Sequence, residues 1–169
     1  MNRIRTMAFA GHRPESLPFG ENELSASGIM LKAKLLTEIM DRVSEGCNTF
    51  YCGAARGSDI IFAEQLLLLK ATEYPSIKLI CVLPHEDQAK RWTENWRERY
   101  FRMLERADET VLMSARYTKD CYRIGNRYMI DSSDALLAVY NGSHTGGTAA
   151  AIQYARRKNK EIIVIDPST

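Results

Sequence analysis

Most of what excludes function classes in this chain is scarcity. The 169 residues contain three histidines, two tryptophans and four cysteines. The cysteines (Cys47, Cys52, Cys81, Cys121) form no CxxC pair and no metal-ligand spacing, so neither a zinc site nor a disulfide scaffold is expected. They read as small buried hydrophobes of a reducing compartment, and a cytoplasmic location is expected. No apolar run reaches 18 residues, which argues against a transmembrane helix and a membrane role. The basic start Met1–Arg5 leads into an apolar stretch that Gly11-His12-Arg13-Pro14 ends too soon for a signal peptide. Charge of one sign is also lacking: 23 Lys and Arg against 21 Asp and Glu leave a net +2. A protein built to neutralise a nucleic-acid backbone is expected to show a concentrated basic face, so this balance argues against nucleic acid as a partner.

What remains is an ordinary globular composition, 45% hydrophobic and 26% charged, at a length that predicts one domain spanning 1–169. At this size about 70% of the unfolded chain's surface can be buried, enough for a core without staples. Short apolar runs alternate with longer amphipathic ones. Strands are predicted from about Ile4 to Ala10 and over Thr49–Cys52, Lys78–Leu83, Thr110–Met113, Ala135–Tyr140 and Ile162–Ile165. Helices are predicted from about Ile29 to Val43 and over Ser58–Ala71, Gln88–Arg106, Cys121–Ser132 and Gly147–Lys158. This βαβα order predicts an α/β fold: a Rossmann-like, three-layer αβα arrangement on a mostly parallel sheet of about six strands. Ligands of such folds bind at the carboxyl ends of the strands.

The loops at those ends hold all three histidines (His12, His85, His144) and the glycines at 11, 53, 57, 142, 146 and 147. Two loops, Gly53-Ala54-Ala55-Arg56-Gly57-Ser58-Asp59 and Gly146-Gly147-Thr148, open directly into helices. Small-residue turns of this kind expose N–H groups to an anion, and the helix adds its partial positive charge. Neither turn has the Walker or the GxGxxG pattern. Arg13 and Arg56 are the expected counter-charges, and the Thr148 hydroxyl can cap the helix or meet a phosphate. Asp59 reads either as a first-turn acid favoured by the helix dipole or as a partner for a ribose hydroxyl. Glu64 reads as a solvated acid or as a general base. His12, between Gly11 and Arg13, can exchange a proton near neutral pH. Trp92, Trp96, Arg99, Tyr100 and Met103 share one helical face, read as core, with Trp92 at the cleft edge able to stack on a base. Asn126 and Arg127 read as surface groups or as residues pointing over the Gly146–Thr148 turn.

Taken in order, Ala10-Gly11-His12-Arg13-Pro14, Gly53 to Asp59 with Glu64, Pro84 with Gln88, Trp92 and Tyr100, Asn126 to Asp131, Ser133-Asp134 and Gly146-Gly147-Thr148 resemble the SLOG superfamily. This superfamily includes the SMF/DprA and LOG proteins, and the match is to its bacterial YpsA-like branch. The resemblance implies a Rossmann-like fold that binds a nucleotide or nucleotide-derived small molecule, and a homodimer is the expected assembly. LOG relatives are phosphoribohydrolases with the motif PGGxGTxxE; here Ala151 stands in place of that glutamate, and Gly125 in place of their arginine. DprA-like relatives bind single-stranded DNA.

Two functions therefore compete. The first is a nucleotide sensor or binding module. The second is a hydrolase or transferase acting on the N-glycosidic bond of a nucleoside monophosphate or ADP-ribose-like ligand, with His12, Asp59 and Glu64 as catalytic candidates. The ligand-binding candidates are Gly11, His12, Arg13, Gly53, Arg56, Gly57, Asp59, Pro84, Gln88, Trp92, Asn126, Arg127, Gly146, Gly147 and Thr148. No metal and no specific cofactor is expected beyond a nucleotide-type ligand.

Overall fold

A computed structural model describes residues 3–169. Met1 and Asn2, which open the basic start, lie outside the described residues. Six strands form one parallel sheet in the order β4-β3-β2-β1-β5-β6. They are β1 (Thr6–Gly11), β2 (Thr49–Cys52), β3 (Lys78–Leu83), β4 (Glu109–Leu112), β5 (Ala135–Val139) and β6 (Glu161–Ile165). Five helices connect them: α1 (Ala26–Ser44), α2 (Ser58–Thr72), α3 (Glu94–Arg106), α4 (Cys121–Asp131) and α5 (Gly147–Arg157). The expected α/β, Rossmann-like architecture is what the chain adopts.

Two hydrophobic cores lie on opposite faces of the sheet. Met7 and Phe9 of β1 point into the core with α1, α2 and α3, whereas Ala8 and Ala10 point into the core with α4 and α5. β5 alternates in the same way, with Leu137 and Val139 on one side and Leu136 and Ala138 on the other. Strands buried on both faces must be apolar throughout, which is why β5 reads as a continuous run. α2 sits between α1 and α3, and nine of its residues are buried, so its sequence is apolar on nearly all sides. Phe62 from α2 stacks on Phe9, with ring centroids 4.2 Å apart. At the amino end of the sheet, Asp134 Oδ2 accepts hydrogen bonds from the Arg5 and Thr6 N–H groups at 2.8 and 3.1 Å, fixing the register of β1 against β5.

The chain leaves β1 towards β2 on one side and β5 towards β6 on the other. The neighbouring strands β1 and β5 therefore send their loops apart, and a crevice opens at their carboxyl ends.

One expected element is shorter than its sequence suggests. The helix expected from Gln88 begins at Glu94, after Thr93 in an extended conformation. Residues 86–91 form successive turns instead, because Gln88 and Ala89 are drawn into the buried interior, and Gln88 Nε2 donates to the Gly53 carbonyl at 3.4 Å. Helical spacing on the buried side then holds only for Trp96, Tyr100 and Met103; Trp92 precedes the helix and packs edge-on against Tyr100.

At Gly57 a positive φ and a close backbone neighbour coincide. Its φ is +93°, and a Cβ there would lie 2.8–2.9 Å from Pro14 Cδ, Arg13 Cα and the His12 carbonyl oxygen. Gly142 also has positive φ, at +90°, but open space around it. Gly57→Ala is expected to cost about 3 kcal/mol, from left-handed strain plus a backbone clash, and Gly142→Ala about 1 kcal/mol from strain alone. Thermal unfolding should show the first variant melting roughly 6–12 °C below the parent and the second losing no more than about 4 °C. Equal losses would overturn the clash argument.

Candidate ligand cleft at the switch point

Four loops and one helix meet over the carboxyl ends of β1, β2, β3 and β5. They enclose a cleft of about 590 Å³, within the range of small-molecule sites. Its walls are Gly11, His12 and Arg13 after β1; Gly53, Ala55 and Asp59 after β2; Pro84 and Gln88 after β3; Asn126 on α4; and Gly146, Gly147 and Thr148 after β5.

His12 joins three of these loops. Its carbonyl oxygen accepts from the Ser58 N–H at 3.0 Å and the Ser58 hydroxyl at 2.7 Å. Its ring Nε2 accepts from the Asn141 N–H at 3.0 Å. That bond requires the proton on Nδ1, and burial lowers the ring's pKa below its ordinary value. His12 is thus a neutral, engaged ring. The proton-donor role read for it is left with Nδ1 alone.

Asp59 is the second residue of α2 and is more than nine-tenths buried. One carboxylate oxygen, Oδ2, accepts from the Ala55 N–H at 3.1 Å. Burial pushes its pKa up to about 7; the Ala55 bond and the Arg13 charge oppose this only in part. The Asp59 carboxyl borders the cleft and holds its proton in the neutral range, a combination common at functional sites.

The α5 turn is built differently. Gly146 has φ +102°, no side chain caps the helix, and Ala150 N–H bonds back to the Gly146 carbonyl. Among the described residues the N–H groups of Gly147, Thr148 and Ala149 have no partner. Thr148 is more than nine-tenths buried, lines the cleft, and its hydroxyl makes no hydrogen bond. Three open donors, a helix N-terminus and an unpartnered hydroxyl make an anion cradle.

Five residues expected in the site lie elsewhere. Glu64 points to the outer face, where Arg99 grips it at 2.6 and 3.0 Å and grips Glu23 at 2.6 and 3.0 Å. Arg56 is paired with Glu15. Gly57 is packed under the β1 loop. Trp92 lies against Tyr100. Arg127 lies over the Tyr154 ring at 4.8 Å. Of the other histidines, His144 is exposed and His85 packs edge-on against Tyr117 and Tyr122. Arg13 remains at the cleft, 5.2 Å from the centre of the Tyr122 ring, without a salt bridge among the described residues.

Sequence reasoning missed Glu15, Ser16, Tyr122, Gly125, Met129, Asn141, Ser143 and Thr145. The helical spacing Tyr122, Gly125, Asn126, Met129 was the available signal, because i, i+3, i+4 and i+7 share a helix face. Among the described residues no helix is long and apolar enough to cross a membrane, and no group of three or more His, Cys, Asp or Glu is placed to hold a metal.

A doubly wound sheet with a glycine-lined crevice at its switch point defines a Rossmann-like protein. The family model described as the YspA SLOG family matches residues 7–169, and the chain belongs to this YpsA family. A UPF0398 protein of Bacillus pumilus (strain SAFR-032) is 30% identical over 155 residues, covering 90% of this chain and 82% of its own length. One from Bacillus cereus (strain G9842) is 27% identical over 159 residues, covering 93% and 85%. Among solved structures, DNA processing protein A from Helicobacter pylori, characterised for its single-stranded DNA binding mode, superposes with a TM-score of 0.63 at 18% identity. The match covers 95% of this chain but 65% of that one, just under two thirds. This neighbour corrects the expectation that nucleic acid is an unlikely partner: a protein sharing the fold binds single-stranded DNA, and a whole-chain charge of +2 does not describe a local cleft.

The Asp59 assignment has a pH signature. A carboxyl whose pKa is raised on folding, here from 3.8 to about 7, holds a proton that the unfolded chain releases. Its contribution therefore favours the fold below pH 4 and is lost as pH rises towards 7. Asp59→Asn removes this loss. The melting temperature of Asp59→Asn minus that of the parent should climb between pH 5 and pH 8; a constant difference would show that Asp59 ionises normally.

Proposed function

We propose that the cleft binds a nucleotide or nucleotide-derived small molecule, with a phosphate on the Gly146–Thr148 turn. The observation that carries this reading is the uncapped start of α5, where unpartnered N–H groups and the unpartnered hydroxyl of Thr148 border one cavity. Arg13 is the counter-charge at the mouth, where it lies over the ring of Tyr122, itself a wall of the cleft. The chain acts as a binding module or sensor in this reading.

A second reading, a hydrolase or transferase at an N-glycosidic bond, is favoured by one observation. Asp59 is a buried carboxyl poised to exchange a proton near pH 7 and borders the same cavity. Glu64 has no part in it, since Arg99 holds both its oxygens away from the cleft.

Gly147 offers the direct test. A Cβ there meets nothing within 4 Å, so Gly147→Val should melt within about 2 °C of the parent. Its branched side chain would project into the anion cradle. Calorimetric titration with AMP, NAD, ADP-ribose and inorganic phosphate should give binding to the parent and at least about a tenfold loss in the variant. Undiminished affinity in Gly147→Val would overturn the phosphate assignment. Tight binding of a single-stranded oligonucleotide, with none of the monomeric ligands bound, would replace the small-molecule reading.

Product chromatography on the same mixtures separates the two readings. Base release that is lost in Asp59→Asn and kept in Glu64→Gln establishes the enzyme. Stabilisation without product establishes the binding module.

A further inference from the structure

The two glycine turns that border the cleft look alike in sequence and differ in chemistry. At α5 the donors are open: neither Gly146 nor Gly147 has an atom within 4 Å of a would-be Cβ, and the first N–H groups of the helix are unpartnered. At α2 the turn before the helix is filled, although the Asp59 and Ile60 N–H groups have no partner among the described residues. Ala54 N–H turns back to Cys52 Sγ at 3.4 Å, Ala55 N–H to Asp59 Oδ2 at 3.1 Å, and Ser58 N–H to the His12 carbonyl at 3.0 Å. The β1 loop packs onto Gly57, and Arg56, the cation of this turn, is held by Glu15. This turn reaches the cavity at Gly53, Ala55 and Asp59, and the one ionisable group it brings there is the Asp59 carboxyl.

We propose that the cleft is charge-polar: the α5 turn takes one phosphate-type anion, and the α2 turn, through Asp59, takes a neutral hydroxyl or amino group and rejects a second anion. The inference rests on the nucleotide reading of the cleft and narrows it. The ligand class is a small molecule with one phosphate and a neutral, hydroxyl-bearing remainder. Ligands phosphorylated at both ends are disfavoured. A carboxyl can donate to or accept from a hydroxyl, but once ionised it repels a phosphate in the same cavity.

The groups facing Asp59 are consistent with this. From the β1 loop comes Arg13, which is exposed and shared with Tyr122. From β2 and β3 come the thiols of Cys52 and Cys81, both kept neutral by burial, Cys81 with its pKa pushed up to about 12. From α4 comes the apolar Met129, whose Cε lies 3.5 Å from a would-be Cβ on Gly53. No basic side chain forms a salt bridge with Asp59 among the described residues.

The experiment is calorimetric titration of the full chain with inorganic phosphate, AMP and adenosine 3′,5′-bisphosphate at pH 8 and pH 6. At pH 8 the parent should bind AMP about tenfold tighter than the bisphosphate, and at pH 6 the gap should shrink. In Asp59→Asn the gap should be small at both pH values. The pH arm uses the parent alone and so stands even if the variant folds poorly. A bisphosphate bound as tightly as AMP at pH 8, or a ratio unmoved by pH and by Asp59→Asn, overturns the charge-polar cleft while leaving nucleotide binding intact. Failure of the parent to bind any of the three probes overturns both.

Discussion

The site depends on how His12 is held. Its carbonyl takes two hydrogen bonds from Ser58, which fixes the start of α2 against the loop after β1. Its ring takes the Asn141 N–H, which fixes the loop after β5. β1 and β5 are neighbours, but their chains turn to opposite sides, so without such a tie the crevice between them would have no fixed width. The demand propagates outwards. Ser58 can reach His12 only if Gly57 lets the backbone pass against Pro14 at a positive φ. Gly11 must stay without a side chain, because a Cβ there would lie 2.5 Å from Ser58 Cβ. The glycines of the β1 and β2 loops are thus consumed in bringing two loops together, whereas those at the start of α5 leave space.

That difference explains what could be read from the sequence and what could not. The alternation of apolar runs gave the order of the strands and helices and, apart from the starts of α1 and α3, their bounds to within about two residues, because strands buried on both faces have little compositional freedom: β5 carries Ala-Leu-Leu-Ala-Val and nothing polar. The cluster of loop glycines and histidines pointed to the edge of the sheet where the cleft opens. The individual roles were less legible, because each depended on a partner distant in the chain. Trp92 looks helical by its spacing to Trp96, yet the burial of Gln88 and Ala89 holds residues 86–91 in turns. Glu64 lies five residues after Asp59 on the same helix, and only the positions of α3 and of the loop before α1 show that Arg99 claims it. Tyr122 and Met129 carry no chemical signature; they become cleft walls only because α4 crosses above β1 and β3.

The same distinction applies to charge. A sum of +2 is uninformative because most of the cations near the site are already committed. Arg56 is neutralised by Glu15, Arg99 by two glutamates, and Arg127 lies on Tyr154 outside the cleft. Arg13 is the cation left at the mouth, supported by the helix N-terminus opposite. One exposed arginine and one uncapped helix start thus give the cleft a local positive character that the whole-chain sum hides.

Asp59 and Glu64 make the final point about how this fold sets function. Both are acids on α2 and neither is freely solvated. Glu64 lies between solvent and Arg99, and the guanidinium holds both its oxygens. Asp59 lies in the interior with one N–H donor and, among the described residues, no salt-bridge partner, and burial therefore pushes its pKa up to about 7. The helix N-terminus would ordinarily favour the charged form; here desolvation wins, and the first turn of α2 becomes a neutral hydrogen-bonding surface. The sheet thus brings two unlike helix starts to one cavity, one opening on glycines and the Thr148 hydroxyl, the other carrying a buried carboxyl.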